Sequence, residues 1–371
     1  MTIDRRRFIS MLAAAGTAAC TAPLTAIAKQ ESTFAPRNFA VNMHNGGVWS
    51  YNYEIERVLE AKDAIRNWRI GPVQVVDESH GDYRIADHDP MMDYLLQQYG
   101  PEHVLVPITD WEDAKRPSPE HMLSLTMQVM DKYPSIVNIQ FGNEPYNFDE
   151  KLRPEEYVQR YAVPVRKYID ERNELRAHRG EKPLLLWSAP WHGSTSGIAQ
   201  TRQMLDEELR WLSNDGRTTP LFDGISANIY GSDSVTKLGQ YLSLDRLGRP
   251  ITVTETGVND ALRHEYWISD VMVCMQSMLD SRARRVLGAA YAHDHPYAQS
   301  QWVTFYDFSD DAGFSLLNRD PVTDRPMPTS DAWDRLLADA RTGSQRTIAP
   351  MIDNIPRTIP VPKRAVAPQG L

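Results

Sequence analysis

The chain has 371 residues, of which 24% are charged and 42% hydrophobic, with nine Trp, sixteen Tyr and a formal net charge of −9. That balance excludes a disordered chain and a membrane protein, and the length suits one large core such as a barrel of about 250 residues or more. An acidic chain with no Lys/Arg run beyond its N-terminus is not expected to bind nucleic acid.

The first 28 residues read as an export signal. Arg5-Arg6-Arg7-Phe8-Ile9-Ser10 resembles the twin-arginine motif, an Ala-rich stretch follows from Met11 to Ala22, and Ala26-Ile27-Ala28 fits a small-x-small cleavage site before Lys29. The implied product is bacterial, and periplasmic or secreted. Thr17-Ala18-Ala19-Cys20 is a poor lipobox, so lipidation of Cys20 is not favoured. Cys274 is then alone in the mature chain and reads as a buried structural thiol among Val271, Met272, Met275 and Met278.

From residue 36 to about 342, strand-like runs alternate with amphipathic stretches. The strand candidates are Asn38–Met43, Trp68–Ile70 (with a restart at Val73–Val76), Val104–Ile108, Ile136–Phe141, Leu184–Trp187, Gly224–Ile229, Ile251–Thr254 and Val286–Tyr291. Ser118 and Pro119 signal a helix start, and Met122, Leu125, Val129 and Met130 recur at helical spacing behind them. Pro154 opens another helix, and Ile198–Leu212 and Glu265–Ser281 read similarly. Eight parallel strands separated by helices predict a single (β/α)8 barrel over residues 29–342, since no glycine fingerprint of a doubly wound nucleotide fold follows the first strand. The tail 343–371, with five prolines and no periodicity, reads as an extended or disordered strap.

Two glutamates stand where a barrel keeps its chemistry. Glu144 follows Ile136–Phe141 within Asn143-Glu144-Pro145, and Glu255 ends Ile251-Thr252-Val253-Thr254. A carboxylate at the end of a buried strand costs free energy unless it is hydrogen-bonded or functional, and active sites of this fold gather at the C-terminal strand ends. Trp49 and Tyr51 follow strand one, Tyr146 and Phe148 the same strand as Glu144, Trp191 and His192 strand five and Tyr230 strand six, and they supply the flat apolar and polar surfaces that suit a saccharide.

This pattern resembles clan A of the glycoside hydrolases, the "4/7" superfamily of (β/α)8 enzymes, over roughly residues 36–340. The resemblance implies a retaining glycosidase for a β-linked poly- or oligosaccharide, with Glu144 as acid/base and Glu255 as nucleophile. It also implies that Asn143 binds the sugar 2-hydroxyl, that Arg69 keeps the nucleophile ionised and that Tyr230 donates to it. Carboxyl groups about 5 Å apart resist joint ionisation, so one stays protonated as the acid. The implied mechanism needs no cofactor and no metal, and the implied partner is carbohydrate, with no nucleic acid and no membrane span.

Two departures stand out. Asn228 occupies the place where many members carry histidine, and Tyr291-Ala292-His293-Asp294 supplies no tryptophan at the end of strand eight, a place Trp302 could take. His44, His192, His293 and His295 raise a metal-dependent hydrolase as an alternative, but a His-x-His pair in such barrels closes strand one, where this chain has only His44. They read instead as substrate-contacting or loop-supporting residues. A non-catalytic saccharide-binding barrel is the other alternative. A pure binder gains nothing from two carboxylates held close together.

Overall fold

The computed structural model describes residues 39–43, 65, 67–76, 83–109, 116–145, 151–191, 195–217, 219–231, 233–258, 267–287, 303–305, 317–319 and 326–328, all within one compact unit, Phe34–Ser344. Residues 1–28, expected to be an export signal, and 343–371, expected to be an extended strap, fall outside the described residues.

The strands are β1 (Phe39–Met43), β2 (Asn67–Ile70), β3 (Gln74–Val76), β4 (Tyr83–Ile85), β5 (Val104–Ile108), β6 (Asn138–Phe141), β7 (Leu185–Trp187), β8 (Ile225–Asn228), β9 (Ile251–Thr256), β10 (Val303–Phe305), β11 (Leu317–Arg319) and β12 (Pro326–Pro328). Eight of them form one sheet in the order β7-β6-β5-β2-β1-β10-β9-β8, with every neighbouring pair parallel. A parallel bridge between Trp187 and Gly224 joins the two outer strands, so the sheet closes into a (β/α)8 barrel. The seam is pinned on both sides of that bridge. Ser188 N–H donates to the Gly224 carbonyl at 3.1 Å, Asp223 N–H to the Leu186 carbonyl at 2.8 Å, and Leu186 N–H to Asp223 Oδ2 at 2.8 Å.

Ala40, Leu105, Val137, Leu185 and Trp187 pack as one buried cluster. Because β1 and β7 are not neighbours in the sheet, that cluster spans the inside of the barrel. Trp187 is its largest member, with its indole N–H donating to Asn138 Oδ1 at 3.2 Å. Gly224 makes room for it, since a Cβ there would meet the Trp187 ring at 2.3 Å.

The helices expected from the sequence are present, and Pro90–Tyr99 and Ser234–Leu244 form without having been expected. Pro119–Lys132 is capped by Ser118, whose Oγ accepts from His121 N–H at 3.0 Å, and it buries Met122, Leu125, Val129 and Met130. Pro154–Glu156 leads through a π-helical stretch, Tyr157–Ala162, into Val163–His178. Thr195–Asp215 and Ser234–Leu244 follow β7 and β8, and a second π-helical stretch, Trp267–Met272, leads into Val273–Leu287 after β9. Cys274 is buried on this last helix, and burial pushes its thiol up to about 11, as expected of an inert packing residue. No helix among the described residues is long and apolar enough to cross a membrane.

Two expectations are corrected. The restart at Val73–Val76 does not continue the barrel strand: β3 turns back on β4 as an antiparallel hairpin, in register Gln74 to Ile85. The eighth barrel strand is Val303–Phe305, paired with both β1 and β9, and not Val286–Tyr291. Val286 and Leu287 end the helix Val273–Leu287, which the helix formers Arg282, Ala283, Arg284 and Arg285 carry forward. A short apolar run does not separate strand from buried helix by its periodicity.

Candidate active site

Both glutamates sit at the C-terminal end of the barrel. After β6 the chain passes through Gly142 at φ 85°, and Glu144 itself adopts φ 42°. Gly142 N–H donates to the Ile108 carbonyl at the end of β5, and Glu144 N–H to the Pro190 carbonyl beyond β7, at 2.8 and 2.9 Å. The turn is thereby tied to both neighbouring strands. A left-handed conformation at a non-glycine residue stores strain of about 1–3 kcal/mol and persists where surrounding structure enforces it, commonly at functional sites.

Glu255 lies inside β9, and its position depends on an irregular register. Ile225, Ser226 and Ala227 pair with Ile251, Thr252 and Val253, but Asn228 pairs with Glu255. The same strand gains one residue against β10, where Val303 faces Val253 and Phe305 faces Thr256. Such a bulge re-aims a side chain, and here it sets Glu255 opposite Asn228. Asn228 Nδ2 donates to Glu255 Oε2 and to Glu144 Oε1, at 2.9 Å in each case. The two carboxylate oxygens therefore lie within twice that distance of each other.

Glu255 is almost fully buried and is met from several sides. Arg69 Nη1 lies 3.0 Å from Oε1, and Tyr230 Oη donates to Oε2 at 2.8 Å. Arg69 is itself aligned by three acceptors: Gln140 Oε1 at 2.9 Å, Asn42 Oδ1 at 2.5 Å and Asn143 Oδ1 at 3.1 Å. Burial pushes the Glu255 carboxyl above the ordinary value. The Arg69 charge opposes that rise, the nearby Glu144 charge adds to it, and the hydrogen bonds from Tyr230 and Asn228 oppose it. The result is a desolvated carboxylate that needs its cation to stay ionised.

The π-helical stretches hold the ends of β6 and β9. Tyr157 Oη donates to the Phe141 carbonyl at the end of β6 at 2.7 Å and accepts from Ala189 N–H at 2.9 Å. Trp267 Nε1–H donates to Thr256 Oγ1, next to Glu255, at 3.2 Å. Each of these two strands is thus followed by a helix whose first aromatic returns to that strand's end.

Arg69, Asn143, Glu144, Tyr230 and Glu255, named from the sequence, come together in one constellation. Trp191 does not stand open to a ligand. Its indole is fully buried, edge-on to Tyr157 at 5.9 Å, with its N–H on the Met204 sulfur at 3.4 Å. His44, Trp49, Tyr146, His192, His293 and Trp302 lie outside the described residues, as do Tyr51 and Phe148. With β10 at Val303–Phe305, Tyr291, His293 and Trp302 all precede the eighth strand in the chain. Sequence reading alone did not assign Asn42, Gln140 or Thr254 to the site, and took Asn228 only as a departure. The available signal was polar residues interrupting buried strands, as in Asn138-Ile139-Gln140-Phe141 and Ser226-Ala227-Asn228.

No protein-family model and no curated protein sequence matches the chain. Several solved structures are similar over most of it. Gas2p of Saccharomyces cerevisiae, solved with laminaritriose and laminaritetraose, aligns at 10% identity over 80% of this chain and 60% of that one, with a TM-score of 0.45. A GH39 β-xylosidase from Caulobacter crescentus aligns at 14% identity over 81% and 70%, with a TM-score of 0.48. A β-glucosidase from Exiguobacterium marinum aligns at 11% identity over 83% and 98%, with a TM-score of 0.49. The chain thus spans about three fifths of the length of the Gas2p structure, and the similarity is distant in every case.

Proposed function

We propose that the protein is a retaining glycosidase acting outside the cytoplasm on a β-linked poly- or oligosaccharide. In this reading residues 1–28 are an export signal, 29–342 the catalytic barrel and 343–371 a strap. The observation that carries it is the pair of strand-end glutamates, Glu144 and Glu255, sharing one amide donor at 2.9 Å to each. One oxygen of each carboxyl group lies 2.9 Å from the same nitrogen, a closeness that supports the about 5–5.5 Å of a retaining pair over the wider spacing of an inverting one.

Glu255 attacks the anomeric carbon while Glu144 gives its proton to the departing glycosidic oxygen. The C–O bond breaks, and a glycosyl ester on Glu255 replaces it. Glu144, now ionised, takes a proton from water, whose oxygen attacks the same carbon and releases Glu255. Arg69 keeps Glu255 anionic against its burial. Asn143 turns its Oδ1 inward to Arg69, which leaves its amide nitrogen to donate to the substrate 2-hydroxyl. That bond strengthens as the ring flattens.

The test is reducing-sugar release by the chain from Lys29 onward across a panel of β-linked polysaccharides, with Glu144→Gln and Glu255→Gln as controls. Release that falls about 100- to 10,000-fold in Glu144→Gln and to background in Glu255→Gln supports the reading. Release that survives Glu255→Gln removes the nucleophile assignment. Saccharide affinity without release in the wild type points to a binding barrel instead.

A further inference from the structure

The two ends of the Gln140 side chain serve different parts of the site. The residue is fully buried on β6. Its Oε1 accepts from Arg69 Nε at 2.9 Å, and its Nε2 donates to the Gly142 carbonyl at 2.9 Å, with a longer contact of 3.4 Å to Asn143 Oδ1. A guanidinium donates only, so the amide oxygen must face Arg69 and the amide nitrogen the turn. Because β5 lies between β2 and β6 in the sheet, the contact with Arg69 reaches past a whole strand. That strand, Val104-Leu105-Val106-Pro107-Ile108, has no polar side chain to offer. The other acceptors of Arg69 are Asn42 Oδ1 on β1 and Asn143 Oδ1. Asn42 turns its oxygen to Arg69 although its buried Nδ2 then has no partner among the described residues. Three neutral amides thus hold the guanidinium, and among the described residues Glu255 is the only carboxylate it pairs with.

Resting on the glycosidase reading, we infer that Gln140 is a positioning residue, which fixes the Arg69 guanidinium on the nucleophile Glu255 and ties it to the turn presenting Asn143 and Glu144. A guanidinium is a planar fork, so what its outer nitrogens meet depends on how the plane is turned. With Nε held on Gln140, Nη1 meets Glu255 Oε1 at 3.0 Å and Nη2 meets Asn143 Oδ1 at 3.1 Å. The amide supplies this acceptor without bringing a charge. A carboxylate in the same place would share the cation that Glu255, desolvated by burial, needs to stay ionised. Among the described residues, the other charged and titratable groups meeting Glu255 are Glu144 beyond β6 and Tyr230 beyond β8.

The experiment follows the Glu255 carboxyl titration by 13C NMR without substrate, with the resonance assigned by its loss in Glu255→Gln. The pH dependence of kcat/KM is measured beside it on whichever glycoside the wild type cleaves. Wild type is compared with Gln140→Met, Gln140→Glu, Arg69→Lys and the double variant Arg69→Lys with Gln140→Met. Gln140→Met, close in size but without the amide, is expected to lower kcat about 10- to 100-fold with a smaller change in KM. It should also move the Glu255 titration and the acid limb of the profile to higher pH, because the cation is no longer held against the effect of burial. Gln140→Glu places a second carboxylate on the same guanidinium and moves both further. Being nearly isosteric, it keeps the test usable if Gln140→Met does not fold. With lysine at position 69 there is no fork to hold, so adding Gln140→Met should leave the titration where Arg69→Lys puts it. A side chain that only fills the barrel would change stability and the height of the profile, not the titration. A Glu255 titration unmoved in folded Gln140→Met and Gln140→Glu overturns the inference, as does an equal shift from Gln140→Met in both backgrounds. A wild type that cleaves no glycoside, or activity that survives Glu255→Gln, counts against the glycosidase reading. The NMR titration then still decides whether Gln140 acts through Arg69 on Glu255.

Discussion

Glu144 at φ 42° is where a single residue carries a conformational load. A left-handed L-residue is disfavoured by about 1–2 kcal/mol, and glycine escapes that penalty. Glu144→Gly is therefore expected to be inactive yet more stable than Glu144→Ala by about 1 kcal/mol in urea denaturation. Equal stability of the two variants would mean that the turn carries no strain. Tyr230→Phe removes one of the donors to Glu255 Oε2. A hydrogen bond to a charged group is worth about 1.5–3 kcal/mol, so kcat/KM should fall about 10- to 100-fold. Glu255 also leaves a signature in stability. Its folded-state pKa is raised by burial, so between the ordinary carboxylate value and the raised one the folded state holds more protons than the unfolded. Stability is then lost as pH rises through that window. The melting temperature of Glu255→Gln relative to wild type should accordingly be higher at pH 8 than at pH 4, and a constant difference would argue against the raised value.

At the scale of elements, the seam of the barrel rests on Gly224. A Cβ at that position would enter the Trp187 ring at 2.3 Å, so Gly224→Ala should destabilise by about 1–3 kcal/mol. Trp187→Phe in the same chain should recover part of the loss. If Gly224→Ala alone is neutral in a urea titration, Trp187 is not what fills the barrel there. Elements were also where the sequence was most and least legible. The helix behind Ser118 and Pro119 announced itself through cap, proline and spacing, all local signals. Val303-Thr304-Phe305 did not, because three residues become a strand only through β1 and β9 on either side. Val286–Tyr291 looked better as a strand than it was, since its first residues complete a helix. The β9 bulge was illegible for the same reason: nothing within Thr254-Glu255 says which of them faces Asn228. The glutamates could be named from strand ends, but the amide that joins them could not.

Over the whole molecule, the barrel end opposite the glutamates is held by buried charge. Arg249 pairs with Glu208 at 2.7 Å and Asp245 at 2.9 Å, and Arg282 pairs with Asp245 at 3.0 Å. This network joins the helices Thr195–Asp215 and Val273–Leu287 to the loop that enters β9. Arg249→Met would leave Asp245 and Glu208 short of their cation. Breaking a buried pair from one side costs about 3–5 kcal/mol, and the urea midpoint should fall accordingly with the slope of the transition unchanged. The opposite effects of this network on its two acids follow from their surroundings. Burial dominates for Glu208, whose carboxyl is raised. Asp245, also desolvated, is held below the ordinary value by the charges and hydrogen bonds of Arg249 and by Arg282. Seven of the eight barrel strands could be read from their apolar runs, and the eighth could not. This staple could not, because Glu208, Asp245, Arg249 and Arg282 look like ordinary surface charges in the sequence.

The paired π-helical stretches, Tyr157–Ala162 and Trp267–Met272, have a consequence for how the chain can change over generations. A π-turn is what an α-helix becomes when it absorbs an extra residue. Loss of one codon in either stretch would restore a regular helix and swing Tyr157 or Trp267 away from the strand end it holds. These two helices should tolerate many replacements of one amino acid by another, yet reject a change of length by one. Surviving sequences descended from a common ancestor would then vary freely in letters there, and hardly at all in spacing.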